Sequence, residues 1–167
     1  FNTDIALGAG WAGNLKNSGF KGEVTYFHPK ESFGDSIGVF TTSISIDYTF
    51  GNGLYLNVAG LYNGSAKGKT NLSQFGVGVG TLSAKNLLPS EFTAFVQVSG
   101  AFSPIFGGGF SVMYLPAVNG VFLNPTLNYS IAENWDLDAV GQILFANKPI
   151  KFQNVSNAVF LRLRWSF

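Results

Sequence analysis

The sequence predicts an all-β fold, an antiparallel up-and-down transmembrane β-barrel with about nine to ten strands in residues 1–167. Three observations predict it. The chain is 46% hydrophobic yet only 11% charged, whereas a soluble domain carries about 25% charge. The apolar residues never gather into the run of about 18 that a transmembrane helix needs. They fall instead at every second position of short segments divided by turn residues, the pattern of strands with one apolar and one wet face. A soluble β-sandwich shares the first two features. Loop lengths and aromatic positions separate the two.

The first segment is Asp4 to Gly13 and the second Phe20 to His28. The third, Ile37 to Phe50, alternates most cleanly: Gly38, Phe40, Thr42, Ile44, Ile46, Tyr48 and Phe50 share one face, and Thr41, Ser43, Ser45, Asp47 and Thr49 the other. Gly51-Asn52-Gly53 supplies the φ > 0 positions of a tight hairpin into Leu54 to Asn63. A polar, glycine-rich stretch, Gly64 to Ser90, follows, with one further strand expected at Phe75 to Leu82. Glu91 to Phe102 comes next, broken by Ser103-Pro104, then Phe106 to Leu115. Gly120 to Ile131 contains Pro125, which removes a ladder donor and predicts an edge, a bulge or a shortened strand there. Ala132-Glu133-Asn134 turns the chain into Trp135 to Phe145, and Asn157 to Phe167 is the last segment.

The connections sort by length. Gly51–Gly53, Ser103–Ile105, Ala132–Asn134 and Asn14–Gly19 fall at one end; Pro29–Ser36, Gly64–Ser90 and Ala146–Ser156 at the other, with brief Pro116–Asn119 among them. Outer-membrane barrels show this asymmetry, and a sandwich has no reason for it. Aromatics sort too. Trp11, Tyr48, Phe50, Tyr129, Trp135, Trp165 and Phe167 lie toward the short-turn rim, and Tyr26, Tyr62 and Tyr114 toward the long-loop rim, all on the apolar face. Such rings, apolar in body and polar at the tip, favour membrane interfaces. Core aromatics of a sandwich would cluster at mid-strand.

The polar face carries Lys21, Glu23, Asp47, Asp136, Asp138, Arg162 and Arg164, with Asn57, Gln97, Asn124, Asn128 and Gln142 as neutral lining. Phe27, Phe95 and Phe160 share that face, where they suit packing against a plug or an inward-folded loop. Folding the last hairpin about its loop places Asp138 opposite Arg164, with Asp136 and Arg162 close by. Both signs are present, which favours ions that lock strand register over a selectivity ring.

Other chemistries find little support. Cysteine is absent, so neither a disulfide framework nor a thiolate metal site is available. The net charge is +1 with no basic run, and no nucleic acid is expected. No metal, no cofactor and no catalytic residue is expected. His28 is the sole histidine; a Ser–His lipid hydrolase using Ser32 or Ser36 would need a third orienting group that no spacing supplies. Gly76-Val77-Gly78-Val79-Gly80 lacks the lysine and helix of a phosphate loop. The Asn63-Gly64-Ser65 sequon is a chance match if the source is bacterial.

The chain ends Phe160-Leu161-Arg162-Leu163-Arg164-Trp165-Ser166-Phe167, with Leu161, Leu163, Trp165 and Phe167 on one face. This resembles the C-terminal assembly signal of bacterial outer-membrane proteins. The resemblance implies location in the bacterial outer membrane, contact with its lipid and lipopolysaccharide, and recognition by the barrel-assembly machinery. Gly10-Trp11-Ala12-Gly13-Asn14, Gly22-Glu23-Val24-Thr25-Tyr26-Phe27 and Tyr129 to Asp138 look similar to porin-like barrels of Bacteroidetes-type bacteria.

An odd strand number would start the chain outside the cell, whereas single-chain bacterial barrels have even counts. With no signal peptide, a lone Met113 and no tail before Asp4, the chain is expected to be a processed or truncated C-terminal part of a wider barrel. The expected function is passive diffusion or uptake of small solutes through a polar lumen, gated by external loops, chiefly Gly64–Ser90. A scaffold barrel within a multiprotein envelope complex is the alternative, and a lipid hydrolase a distant third.

Overall fold

The computed structural model describes residues 4–30, 38–67, 88, 90–147 and 151–167. Nine strands run through them: β1 (Asp4–Leu15), β2 (Ser18–Pro29), β3 (Val39–Thr49), β4 (Tyr55–Asn63), β5 (Phe92–Ser103), β6 (Phe106–Leu115), β7 (Gly120–Ala132), β8 (Trp135–Asn147) and β9 (Phe152–Trp165). Single 3-10 turns follow β4 and β6, at Gly64–Ala66 and Pro116–Val118. The strands form one antiparallel up-and-down sheet in chain order, β1 to β9. Among the described residues β1 and β9 are its edges and the sheet is open. No described helix is long and apolar enough to cross a membrane. The strand expected at Phe75 to Leu82 lies outside the described residues.

The described chain divides into two compact units. One comprises Phe1–Ile46, Ala59–Ala94 and Leu115–Val118; the other comprises Asp47–Val58, Phe95–Tyr114 and Asn119–Phe167.

In the first unit, β1 and β2 pair from Asp4↔Pro29 to Leu15↔Ser18. The expected Asn14–Gly19 turn thus contracts to residues 16–17, with Lys16 at φ 59°. The tighter turn lets Asn14 and Gly19 pair as well. Trp11 lies opposite Gly22, and its ring covers the space a side chain would fill. A Cβ on Gly22 would run into the Trp11 ring and sit 2.8 Å from the Ser43 carbonyl oxygen. Gly22→Val is therefore expected to lower unfolding free energy by about 1–3 kcal/mol, measured by denaturant titration of the reconstituted protein.

Among the described residues buried apolar side chains are few. Phe27, Ala66, Leu115 and Val118 are buried in the first unit, Leu144 and Ala146 in the second. Leu7, Phe40, Ile44, Phe92, Leu127 and Leu161 instead stand exposed along strands.

The second unit corrects three expectations. Pro125 produces neither an edge nor a bulge: the β7–β8 register is the same at Leu123↔Ile143 and at Thr126↔Val140. Gly141 makes this possible, since a Cβ there would lie 2.8 Å from the proline ring. The Asn124 side-chain amide donates to the Gly141 carbonyl at 2.8 Å, serving an acceptor beside a residue that has no N–H. The bulge falls instead between Ser130 and Ala132.

The last connection is also shorter than the expected Ala146–Ser156. β8 runs to Asn147 and β9 begins at Phe152, whose ring stacks on Phe145 at 5.9 Å. The polar run Gln153-Asn154-Val155-Ser156 hides its strand character from an apolar alternation count.

Register is the third correction. Asp138 pairs with Arg162 and Asp136 with Arg164, one step along the same face from the expected Asp138–Arg164 pair. Leu144 pairs with Ser156 and Phe145 with Asn154, so Val155 is an extra residue in β9. A one-residue slip flips every side chain to the other face. Were Val155 paired in the ladder instead of bulged out of it, Asp138 would therefore meet Leu161.

Candidate functional site

Two polar rows cross β7, β8 and β9 on one face of the second unit. In the first, the Asn128 amide donates to Asp138 Oδ1 at 2.8 Å. Arg162 donates to Asp138 Oδ2 through Nε at 2.8 Å and Nη2 at 2.5 Å. In the second row, the Ser130 hydroxyl donates to Asp136 Oδ1 at 2.7 Å, and Arg164 Nη2 to Asp136 Oδ2 at 2.9 Å. The alternation of β7, β8 and β9 puts these six side chains on one face, and the Val155 bulge sets them in line.

Next to the rows the polar face is concave. A hollow of about 460 Å³ takes in Thr126, Asn128, Asp138, Val140, Phe160 and Arg162. Another of about 310 Å³ takes in Ser103, Asn128, Ser130, Asp136 and Arg164. Phe160, expected to pack against a plug or an inward-folded loop, is exposed among the described residues, two positions from Arg162 on β9. Asn124, expected in the lining, donates its amide to the Gly141 carbonyl across the strand pair. Asp47, Gln97 and Gln142 are half-buried, and Asn57 is buried.

In the first unit, Lys21 and Glu23 stand exposed on the polar face of β2, with Ser43 and Ser45 in the same hollow of about 480 Å³. Phe27, on the same face, is buried. His28 lies at the end of β2, and its Nδ1 is 2.9 Å from the Tyr26 hydroxyl. Ser32, Ser36 and Gly76 to Gly80 lie outside the described residues. Among the described residues no group of three or more metal-binding side chains occurs.

The opposite face is aromatic at the strand ends. In the second unit, Tyr48 packs edge-on to Phe50 at 4.8 Å, and Phe106 bridges Phe102 and Tyr129. Trp135 stacks on Trp165, which also meets Phe167. The Tyr114 hydroxyl reaches Asn119 at 3.5 Å. In the first unit, Trp11 meets Phe20, Tyr26 meets Phe40 and Tyr62 meets Phe92. Leu161, Leu163, Trp165 and Phe167 are all exposed.

Sequence reasoning missed the part Ser130 plays as a donor to Asp136, and the buried Asn63. Ser130 was within reach, two residues from Asn128 on the polar face. Asn63 has no such cue.

No protein-family model matches this chain, and no curated protein matches it in sequence.

Proposed function

We propose that the chain is the wall of a porin-like β-barrel in the bacterial outer membrane, through which small solutes diffuse along a polar lumen. One observation carries this reading: the two faces of the sheet differ in kind. In the first unit Leu7, Phe40 and Ile44, and in the second Val96, Leu127, Leu161 and Leu163, are exposed on the strand faces opposite the polar ones, large apolar side chains that a soluble monomer rarely leaves side by side in water. Lipid covers such a face at no desolvation cost. The other face carries the Asp–Arg rows, which lipid would not tolerate and a water-filled interior would.

Closure of the sheet belongs to the same reading. An open edge in hydrocarbon leaves backbone N–H and C=O groups unpaired at several kcal/mol each. β1 and β9 are therefore expected to pair with strands beyond these nine or with each other. A wall wider than about eight strands leaves room for a channel, whereas a smaller barrel fills with side chains. The terminal Leu161-Arg162-Leu163-Arg164-Trp165-Ser166-Phe167 serves in this reading as the address for the barrel-assembly machinery.

Single-channel recording of the native protein, purified intact from outer membranes into a planar bilayer, tests it. Steady conductance steps are the expected result. A silent bilayer with verified folded protein would sink the channel and favour a scaffold barrel, to be pursued through co-purifying envelope proteins.

A further inference from the structure

We infer that the β7–β9 polar wall is a docking stripe for small dicarboxylate-like dianions, held by the outward N–H groups of Arg162 and Arg164. The inference rests on the proposal that this face borders water.

Two arginines and two aspartates leave the wall with no formal net charge. Preference comes from how the pairs stand. The Asp138 side chain is 12% exposed and its partner Arg162 69%; the corresponding values are 30% for Asp136 and 54% for Arg164. Each carboxylate is occupied on both oxygens, Oδ1 by Asn128 or Ser130 and Oδ2 by an arginine. A guanidinium has five N–H donors. Arg162 and Arg164 each turn Nε and Nη2 toward a single aspartate oxygen. The other donors remain, on side chains that are more than half exposed. A solute approaching the wall therefore meets donors and positive charge first, with the negative charge recessed beneath.

Spacing narrows the ligand. Arg162 and Arg164 are two residues apart on one strand, so their Cα atoms are separated by about 6.6 Å. Two guanidiniums side by side at that interval suit a short dicarboxylate, one carboxylate to each fork. The hollow of about 460 Å³ beside Arg162 has room for such a solute, with the Phe160 ring as an apolar wall for its methylenes. The neighbouring hollow of about 310 Å³ reaches Arg164.

The test is calorimetric titration of the intact, detergent-solubilised protein with succinate, and in parallel with uncharged succinamide. Saturable succinate binding with no succinamide binding is expected. Arg164→Gln is expected to weaken succinate at least tenfold; its partner Asp136 is the more exposed of the two aspartates, so this variant strands the less costly charge. Arg164→Lys keeps the charge without the fork and is expected to fall between the two, and it serves should the glutamine variant not fold. Equal binding of succinamide, undiminished binding by a folded Arg164 variant, or no succinate binding by the native protein would each overturn the inference. The channel reading fails separately: a silent bilayer with succinate binding intact removes the pore and keeps the stripe.

Discussion

Ile44→Arg is expected to impair assembly by about 2–4 kcal/mol, while Ser43→Arg one residue away is tolerated. Ile44 sits in the interior of β3, 46% exposed, on the face that carries Phe40 and Ile46. A Cβ placed on Gly60 of β4 would meet only the Ile44 methyl, at 3.9 Å. An arginine at 44 has no side chain beside it at Gly60 and, in the barrel reading, faces hydrocarbon at mid-membrane. Ser43 points the other way, into the hollow shared with Lys21, Glu23 and Ser45. A guanidinium there reaches water and the Glu23 carboxylate. Folding into lipid vesicles across a denaturant series, followed by tryptophan fluorescence, gives both free energies. Equal losses would mean that the assignment of Ile44 to the lipid face and Ser43 to the wet one is wrong.

The same alternation explains how much of the fold was legible. A period of two assigns each side chain to a face without any knowledge of the partner strand. All nine clear segments, and the faces of Ile44, Trp135 and Arg162, followed from it. What it does not encode is where one strand slips against the next. Val155 is an ordinary β-branched residue, and only the pairing of Leu144 with Ser156 and Phe145 with Asn154 reveals it as the extra one. The Asp–Arg partners were identified as a group but matched one step wrong, because loop ends at Phe145 and Asn157 set Asp138 opposite Arg164, whereas the strands run on to Asn147 and Phe152. Pro125 failed for a related reason. Its cost is set by what lies opposite, and Gly141 is sixteen residues away in the chain. The polar β9 entry was missed because Gln153 and Asn154 give no apolar signal, although pairing extends through both.

Asn63 is the residue least visible in the sequence and among the costliest to remove. Read alone, Asn63-Gly64-Ser65 is a turn. In the structure Asn63 is fully buried at the end of β4 and ties together both ends of the 64–91 connection. Its Nδ2 donates to the Leu88 carbonyl at 2.7 Å, and its Oδ1 accepts from Ser65 N at 3.2 Å and Ser65 Oγ at 2.7 Å. Its backbone N–H donates to the Glu91 carbonyl at 2.7 Å. The next residue has no room to adapt, since a Cβ on Gly64 would lie 2.8 Å from the Phe40 carbonyl oxygen. Asn63→Ala removes three side-chain bonds at a fully buried position, which is expected to cost about 2–4 kcal/mol. Asn63→Asp keeps the acceptor for Ser65 but turns an anionic oxygen toward the Leu88 carbonyl, and is expected to cost at least as much. Unfolding free energies of both variants, with hydrogen exchange at the Ser65 amide, check this. A loss below about 0.5 kcal/mol, the range of an ordinary surface change, would mean that the two ends of the connection hold without Asn63. A loss confined to faster exchange at Ser65 would place the residue's effect in the turn alone, and Leu88 would need another donor.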